Sequence, residues 1–118
     1  MNRGDIVFVD LPISPGAAGR EQMGLRPALI VHDDATISIL PVVIIIPFTT
    51  QLNALRYPHT IRVEPSQQNG LSQSSVLMVF QLRAIDRLRL RNKIGYLERD
   101  LLIRVDIEIR NLLGLSVS

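Results

Sequence analysis

The run Ile37-Ser-Ile-Leu-Pro41-Val-Val-Ile-Ile-Ile-Pro47-Phe48 constrains this chain more than any other segment. It is apolar enough to invite a membrane reading, yet it is twelve residues long and holds two prolines, whereas a spanning helix needs about 20 uninterrupted residues. Between the prolines every residue, Val42 to Ile46, is β-branched, which favours strand over helix. An unbroken apolar strand has no solvent face and must be buried on both sides. The rest of the 118 residues has to supply two covering layers, and that length allows one domain, 1–118, with no room for a second. At 47% apolar composition the material suffices without cross-links.

Other segments fit around that strand. Asp5 to Leu11, rich in β-branched and aromatic residues and closed by Pro12, reads as a first strand, and Pro27 to Val31 as a second. With Val42 to Ile46 third, Thr60 to Glu64 alternates as a half-exposed fourth strand between Pro58 and Pro65, and Ser75 to Leu82 is a longer fifth. Leu101, Val105, Ile109 and Leu112 recur at helical spacing, with Gly114 placed to stop the helix. Glu98 stands at its start, a weaker cap than Ser or Asp, partly offset by Asp100 in the first turn. Strands before a terminal helix, without βαβ alternation, predict a mainly β (α+β) domain: a small antiparallel sheet or barrel with the helix packed on it. Residues 12–25, with two Pro and three Gly, form a long loop and the first place to look for a site.

Several function classes drop out. Without cysteine there is no disulfide scaffold, thiolate nucleophile or Cys-ligated metal, and the reducing cytoplasm is the expected compartment. The start, Met1-Asn-Arg-Gly-Asp5, does not read as a signal peptide. No GxxxxGK[ST], HExxH or GxSxG occurs, which removes support for phosphate-loop hydrolysis, zincin proteolysis and the α/β-hydrolase elbow. The net charge is only +2, but twelve of the thirteen bases are arginine, whose planar fork suits phosphate.

An ordered series of short motifs remains: Arg3-Gly4-Asp5-Ile-Val-Phe-Val-Asp10, then Glu21-Gln22-Met-Gly24-Leu-Arg26-Pro27, then Pro47-Phe-Thr49-Thr50. It continues through Tyr57-Pro58, Asn69-Gly70-Leu71, Ser74-Ser75-Val76, Gln81-Leu-Arg83-Ala-Ile-Asp86 and Lys93-Ile94-Gly95. In this series the chain resembles the MazF/PemK toxin family along nearly its whole length. The resemblance implies an SH3-like small barrel of five or more mostly antiparallel strands with a C-terminal amphipathic helix. It also implies a homodimeric toxin of a toxin-antitoxin pair, cutting single-stranded RNA at short sequences with no metal or other cofactor. Its partner would be an antitoxin with a flexible acidic tail, which orders only on binding.

Carried over by position, the family's essential arginine falls on Arg26, its essential threonine on Thr49, and the glutamate of its loop on Glu21. These residue types suit a reaction in which the substrate's 2'-hydroxyl attacks the adjacent phosphorus. Arg26 offers a bidentate fork to the non-bridging oxygens, and one such preorganised donor is worth about 3 to 4 kcal/mol in a transition state. A guanidinium gives up its proton only above about pH 12, so Arg26 stabilises charge while Glu21 is the base in the loop or the partner of Arg20 or Arg26 in an ion pair. RNA contacts are expected from Arg20 and Gln22 in the loop, Thr50 and Gln51 after the third strand, and Gln81 and Arg83. Arg87 and Arg89 belong to the densest basic segment, where alternate arginines around Leu88 and Leu90 predict charges along one side of an extended strand.

Three points stand against a uniform reading. Where family members often carry an acid just before the glutamine of the fifth-strand segment, this chain has Phe80, so no proton transfer falls to that position. His32 and His59 invite an imidazole pair but match no functional position, and the expectation is structural. Two rival functions on the same barrel are a toxin that binds and poisons DNA gyrase, and a catalytically silent module that binds nucleic acid or antitoxin.

Overall fold

The computed structural model describes residues 1–11 and 24–115. Their elements follow the order β1 (Asp5–Asp10), β2 (Leu25–Ile30), β3 (Val42–Thr49), a 3-10 turn at Leu52–Arg56, β4 (Thr60–Val63) and β5 (Ser75–Met78). A second 3-10 turn at Val79–Gln81, β6 (Arg83–Asp86), a third turn at Arg87–Arg89, β7 (Leu90–Tyr96) and α1 (Arg99–Leu112) complete them. The sheet runs β4-β5-β3-β2-β1-β7, with β6 on β3 beside β5, and every pair is antiparallel. Among the described residues the path ends at β4 and β7, so the fold is a small barrel-like sheet without a closing pair.

The apolar segment is buried from Val43 onward but not at its start, where Val42 is exposed, and its strand runs on through Pro47 to Thr49 rather than ending at Ile46. Along β3, Val43 and Ile45 are buried among Val7, Val9, Ala28, Ile30 and Ile85. Ile46 and Phe48 are buried on the other face among Ile6, Leu29, Ile61, Leu77 and Val105 of α1. Pro47 fits inside this central strand because of its register. Val31 N donates to Ile44 O at 3.1 Å, and counting from there makes Ala28 and Pro47 a non-hydrogen-bonded pair. The missing N–H of Pro47 therefore faces the opposite edge of β3, where β6 has stopped at Ile45 and β5 begins at Phe48. No ladder bond is lost there.

α1 ends as Gly114 requires. At φ +71, Gly114 donates its N–H to Asn111 O at 3.1 Å while Leu115 N reaches Arg110 O at 2.9 Å, the paired bonds of a Schellman stop. At its other end Glu98 makes no side-chain cap, and Asp100 supplies the only acid in the first turn. None of the described helices is long and apolar enough to cross a membrane.

Two expectations are corrected. The fifth strand stops at Met78 rather than Leu82, because Val79–Gln81 tightens into a 3-10 turn that carries the chain from β5 to β6 along the same edge of β3. The basic segment is not one extended strand: Arg83 opens β6, Arg87–Arg89 is a turn held by Leu88 N to Asp86 Oδ1 at 2.9 Å, and Arg91 and Lys93 lie in β7. With β6 and β7 added to the five strands read segment by segment, the described residues hold seven, in keeping with the five or more that the resemblance implies.

Candidate active site

Cross-strand register brings the two principal candidates together. β2 pairs with β3 through Ala28↔Pro47 and Ile30↔Ile45. The ladder stops at Ala28 and Pro47; Arg26 and Thr49 lie two residues beyond it, at the same end of the two strands and, by alternation, on the same face as Ala28 and Ile45. Arg26 also pairs with Val9 of β1, and Thr49 with Val76 of β5, itself opposite Arg62 of β4. The row Val9, Arg26, Thr49, Val76, Arg62 crosses one end of the sheet, on the face away from α1. Arg26 and Thr49 are both half-buried. Thr49 Oγ1 accepts the Gln51 N–H at 3.2 Å, which orients the hydroxyl and leaves its own proton to donate.

Glu21, Arg20 and Gln22 lie outside the described residues, but the ends of their loop are fixed. Leu11 N donates to Gly24 O at 2.9 Å, and a Cβ on Gly24 would stand 2.0 Å from Leu11 O. Gly24 also has φ +75, so the loop closes two residues from Arg26 only because this position is glycine.

Thr50 and Gln51 follow Thr49 directly and are exposed, as is Gln81 at the end of its turn. Arg83 is exposed opposite Ile45, on the face that carries Thr49 and about 13 Å along the strand from it. Arg87 sits past the far end of β3, where its Nη1 donates to Ile37 O and Leu40 O, each at 2.9 Å. It pins the 37–40 loop and is not gathered with Arg26. Arg89 Nη1 donates to Asp10 O at 3.0 Å and Arg91 Nη2 approaches Asp10 Oδ2 at 3.3 Å, which sets both at the strand end next to β2. Arg62, which no motif singled out, ends the row tied to Glu64 Oε2 at 2.6 Å. A hydrogen bond from Ser74 and then the Arg62 guanidinium hold the Glu64 carboxyl below its ordinary range.

The histidines are structural and apart. His32 is buried, and its Nδ1 accepts Ile44 N–H at 3.1 Å, so Nε2 carries the proton and donates to Thr36 Oγ1 at 3.0 Å. His59 instead pairs with Glu108 of α1 at 2.9 Å. No group of three or more His, Asp or Glu able to hold a metal occurs among the described residues.

Comparison with known proteins follows the same pattern. The family described as PemK-like, MazF-like toxin of type II toxin-antitoxin system matches residues 2–113. This chain belongs to that family. Among the toxin's relatives, Endoribonuclease EndoA of Bacillus subtilis is 33% identical over 106 residues, 90% of this chain and 88% of its own length. The crystal structure of MazF from Deinococcus radiodurans superposes with a TM-score of 0.75 at 27% identity, covering 98% of this chain and 97% of that one. The MazE-MazF complex of the same organism gives 0.74 at 28%, with the same coverage. Mycobacterium tuberculosis toxin MazF-mt6 shares the fold, at a TM-score of 0.76 and 24% identity over 96% of this chain and 99% of its own.

In this member of the PemK/MazF family Phe80 belongs to an aromatic and apolar cluster. Its ring meets Tyr57 with centroids 5.3 Å apart and packs on Ala54, Val76 and Met78. Arg56 stands 4.7 Å over the Tyr57 ring. An acid at position 80 would face this aromatic and apolar group; the toxin has an apolar wall beside Thr49 instead.

Proposed function

We propose that this endoribonuclease of the PemK/MazF toxin family cuts single-stranded RNA at short sequence motifs without a metal ion. The 2'-oxygen bonds to phosphorus, the bond to the 5'-oxygen breaks, and the products carry a 2',3'-cyclic phosphate and a 5'-hydroxyl. A base takes the proton of the 2'-hydroxyl, and the departing 5'-oxygen gains one. The observation that carries this reading is the β2–β3 register, in which Ala28 faces Pro47 and Arg26 and Thr49 follow two residues further toward the same end of the sheet. A guanidinium and a hydroxyl side by side match a phosphodiester whose charge rises in the transition state. Arg26 forks to the two non-bridging oxygens, Thr49 donates its remaining proton to phosphate, and Glu21 serves as base from the loop that closes at Gly24. Arg20, Gln22, Thr50, Gln51, Gln81 and Arg83 grip the strand on either side; Arg89 extends the basic rim, and Arg87 is a more distant contact.

The toxin acts in the cytoplasm as a homodimer, and an antitoxin with a flexible acidic tail covers the arginine-rich groove. The MazE-MazF complex of the Deinococcus relative supports such a partner.

The test is incubation of purified protein with a long single-stranded RNA in EDTA, mapping of the cut ends, and repetition with Arg26→Ala. Cyclic phosphate and 5'-hydroxyl ends in EDTA, lost in Arg26→Ala, are expected. Cleavage that requires added divalent cation, or that survives Arg26→Ala at the wild-type rate, overturns the mechanism.

A further inference from the structure

Two motifs of the sequence, Asn69-Gly70-Leu71 and Lys93-Ile94-Gly95, have no part in the chemistry above, yet the fold locks them together. Gly70 has φ +71 and a Cβ on it would stand 2.0 Å from Ile94 O. A Cβ on Gly95 would stand 2.4 Å from Gln68 O, which accepts the Tyr96 N–H at 3.0 Å. The turn is rigid from within. Asn69 is fully buried, its Oδ1 accepting from Ser66 N and Leu71 N at 3.0 Å and its Nδ2 donating to Glu64 O at 2.9 Å.

β7 is adapted to the same place. Tyr96 pairs with Asp5 and Lys93 with Val7, so three residues of β7 span two of β1. In a regular strand, residues three apart point to opposite faces; the bulge returns both to one face. Lys93 Nζ lies 3.2 Å from Asp5 Oδ1 and 5.8 Å over the Tyr96 ring. The result is an open groove of about 750 Å³ lined by Gln67, Gln68, Lys93, Ile94, Gly95 and Tyr96. Asp5, Val7 and Val9 alternate onto one face of β1, and Val9 pairs with Arg26. The groove therefore opens on the face that carries Arg26, about 13 Å further along β1 and across it at the sheet edge.

We infer that this groove is a subsite for one unpaired nucleobase of the RNA, outside the nucleotides that flank the cut. Single-stranded RNA is read by stacking splayed bases on aromatic rings and hydrogen-bonding their edges. Tyr96, 52% exposed, supplies the ring. Gln67 and Gln68 supply primary amides, each with donor and acceptor, to a base edge. Lys93, held in place by Asp5 and still half-exposed, faces the adjoining phosphate. An acidic peptide would meet here one cation already paired with a carboxylate, and two neutral amides, so the chemistry favours a base. The inference rests on RNA being the substrate.

The experiment compares a minimal RNA oligonucleotide spanning a mapped cut with versions extended by several nucleotides on the 5' or the 3' side. Tyr96→Ala and the double variant Gln67→Ala/Gln68→Ala should raise KM about tenfold on one extended substrate, a typical effect of losing one stacked base. kcat and the minimal substrate should be unchanged, and Tyr96→Phe, which keeps the ring, should restore the wild-type KM. Equilibrium binding of the same oligonucleotides to Arg26→Ala protein, with and without Tyr96→Ala, reads the groove without cleavage. If wild type cuts no RNA while this binding difference persists, the nuclease mechanism fails and the subsite stands. Equal KM and equal binding for wild type and Tyr96→Ala on every length, or loss of poly-glutamate binding in place of RNA binding, overturns the subsite.

Discussion

Arg26 is where the cleavage mechanism is most exposed to a single substitution. Arg26→Lys keeps the positive charge and most of the length but replaces a planar fork by a point charge, so a bidentate grip on two phosphate oxygens is lost. One preorganised donor is worth about 3 to 4 kcal/mol in the transition state, which predicts a fall in kcat of a few hundred-fold or more. RNA binding should change far less, since the charge remains. Single-turnover cleavage with a filter-binding control measures both, and near wild-type cleavage by the lysine variant would rule out the fork. At this scale the sequence names candidates and is silent about their proximity. The Gly24-x-Arg26-Pro27 segment marks the arginine, and Thr49 stands out at a strand exit, but their meeting depends on β2 and β3 pairing in the register of Ala28 with Pro47. No single residue encodes that register; it follows from both strands burying alternate side chains in the same two cores.

Among the elements, the entry to α1 shows how one residue can serve tertiary structure at the expense of a cap. Glu98 is at the N-cap but turns its carboxylate away from the helix, accepting Ser66 Oγ at 2.6 Å and Asn69 Nδ2 at 3.3 Å. Burial raises its pKa, but hydrogen bonds from Ser66, its own backbone N–H and Asn69 outweigh burial and hold it below the ordinary value. A carboxyl depressed in the folded state binds fewer protons there than in the unfolded chain, so its stabilisation is present above the ordinary glutamate range, about pH 4.3, and is lost as pH falls through the lowered folded value. Glu98→Gln should therefore lower stability at pH 7 and flatten the loss of stability between about pH 5 and pH 3, read by urea unfolding at each pH. A variant with the wild-type acid limb would show that this carboxylate is not linked to folding. The same scale explains the two missed strands. From Arg83 to Lys93 charged and apolar residues alternate, a pattern that fits one solvated strand; the turn at Arg87–Arg89 is set by Asp86 Oδ1 on Leu88 N and by Arg87 reaching Ile37 O and Leu40 O. Two of those three bonds are to residues far away in the chain, which local periodicity cannot register. The amphipathic α1 and the buried centre of β3, whose signals are local, were legible, but the run of β3 through Pro47 to Thr49 was not, since it depends on the pairing with β2 and β5.

For the whole molecule, the residue left over is apolar surface. Ile39 is 73% exposed and Leu88 79% exposed, and Leu40 and Val42 join them. All four belong to the end of β3 that Arg87 ties to the 37–40 loop, and no described element covers them. The outer face of α1 exposes a second pair, Ile103 and Ile107, flanked there by the exposed Arg99, Arg104 and Arg110. A twofold contact uses one patch on both copies, so a charge placed in that patch meets its own copy across the axis and is doubly unfavourable. The patch around Leu88 is the better candidate because three of its four members lie within four residues on one loop and strand start, and the Arg87 guanidinium beside them is already engaged by the Ile37 and Leu40 carbonyls. Leu88→Glu changes a side chain that makes little contact within its own subunit, so the fold should survive while the dimer does not. Size-exclusion chromatography with light scattering should report a monomer for Leu88→Glu and a dimer for both wild type and Ile103→Glu, and melting temperature should separate loss of association from loss of fold. A monomeric Ile103→Glu beside a dimeric Leu88→Glu would move the contact to the helix, and a monomeric wild type would remove it altogether. Because the Arg87 guanidinium positions this loop, its neutralisation belongs with the same measurement: Arg87→Ala should weaken the dimer more than it alters the salt dependence of RNA binding, since two of its donors are already engaged by carbonyl groups of the loop.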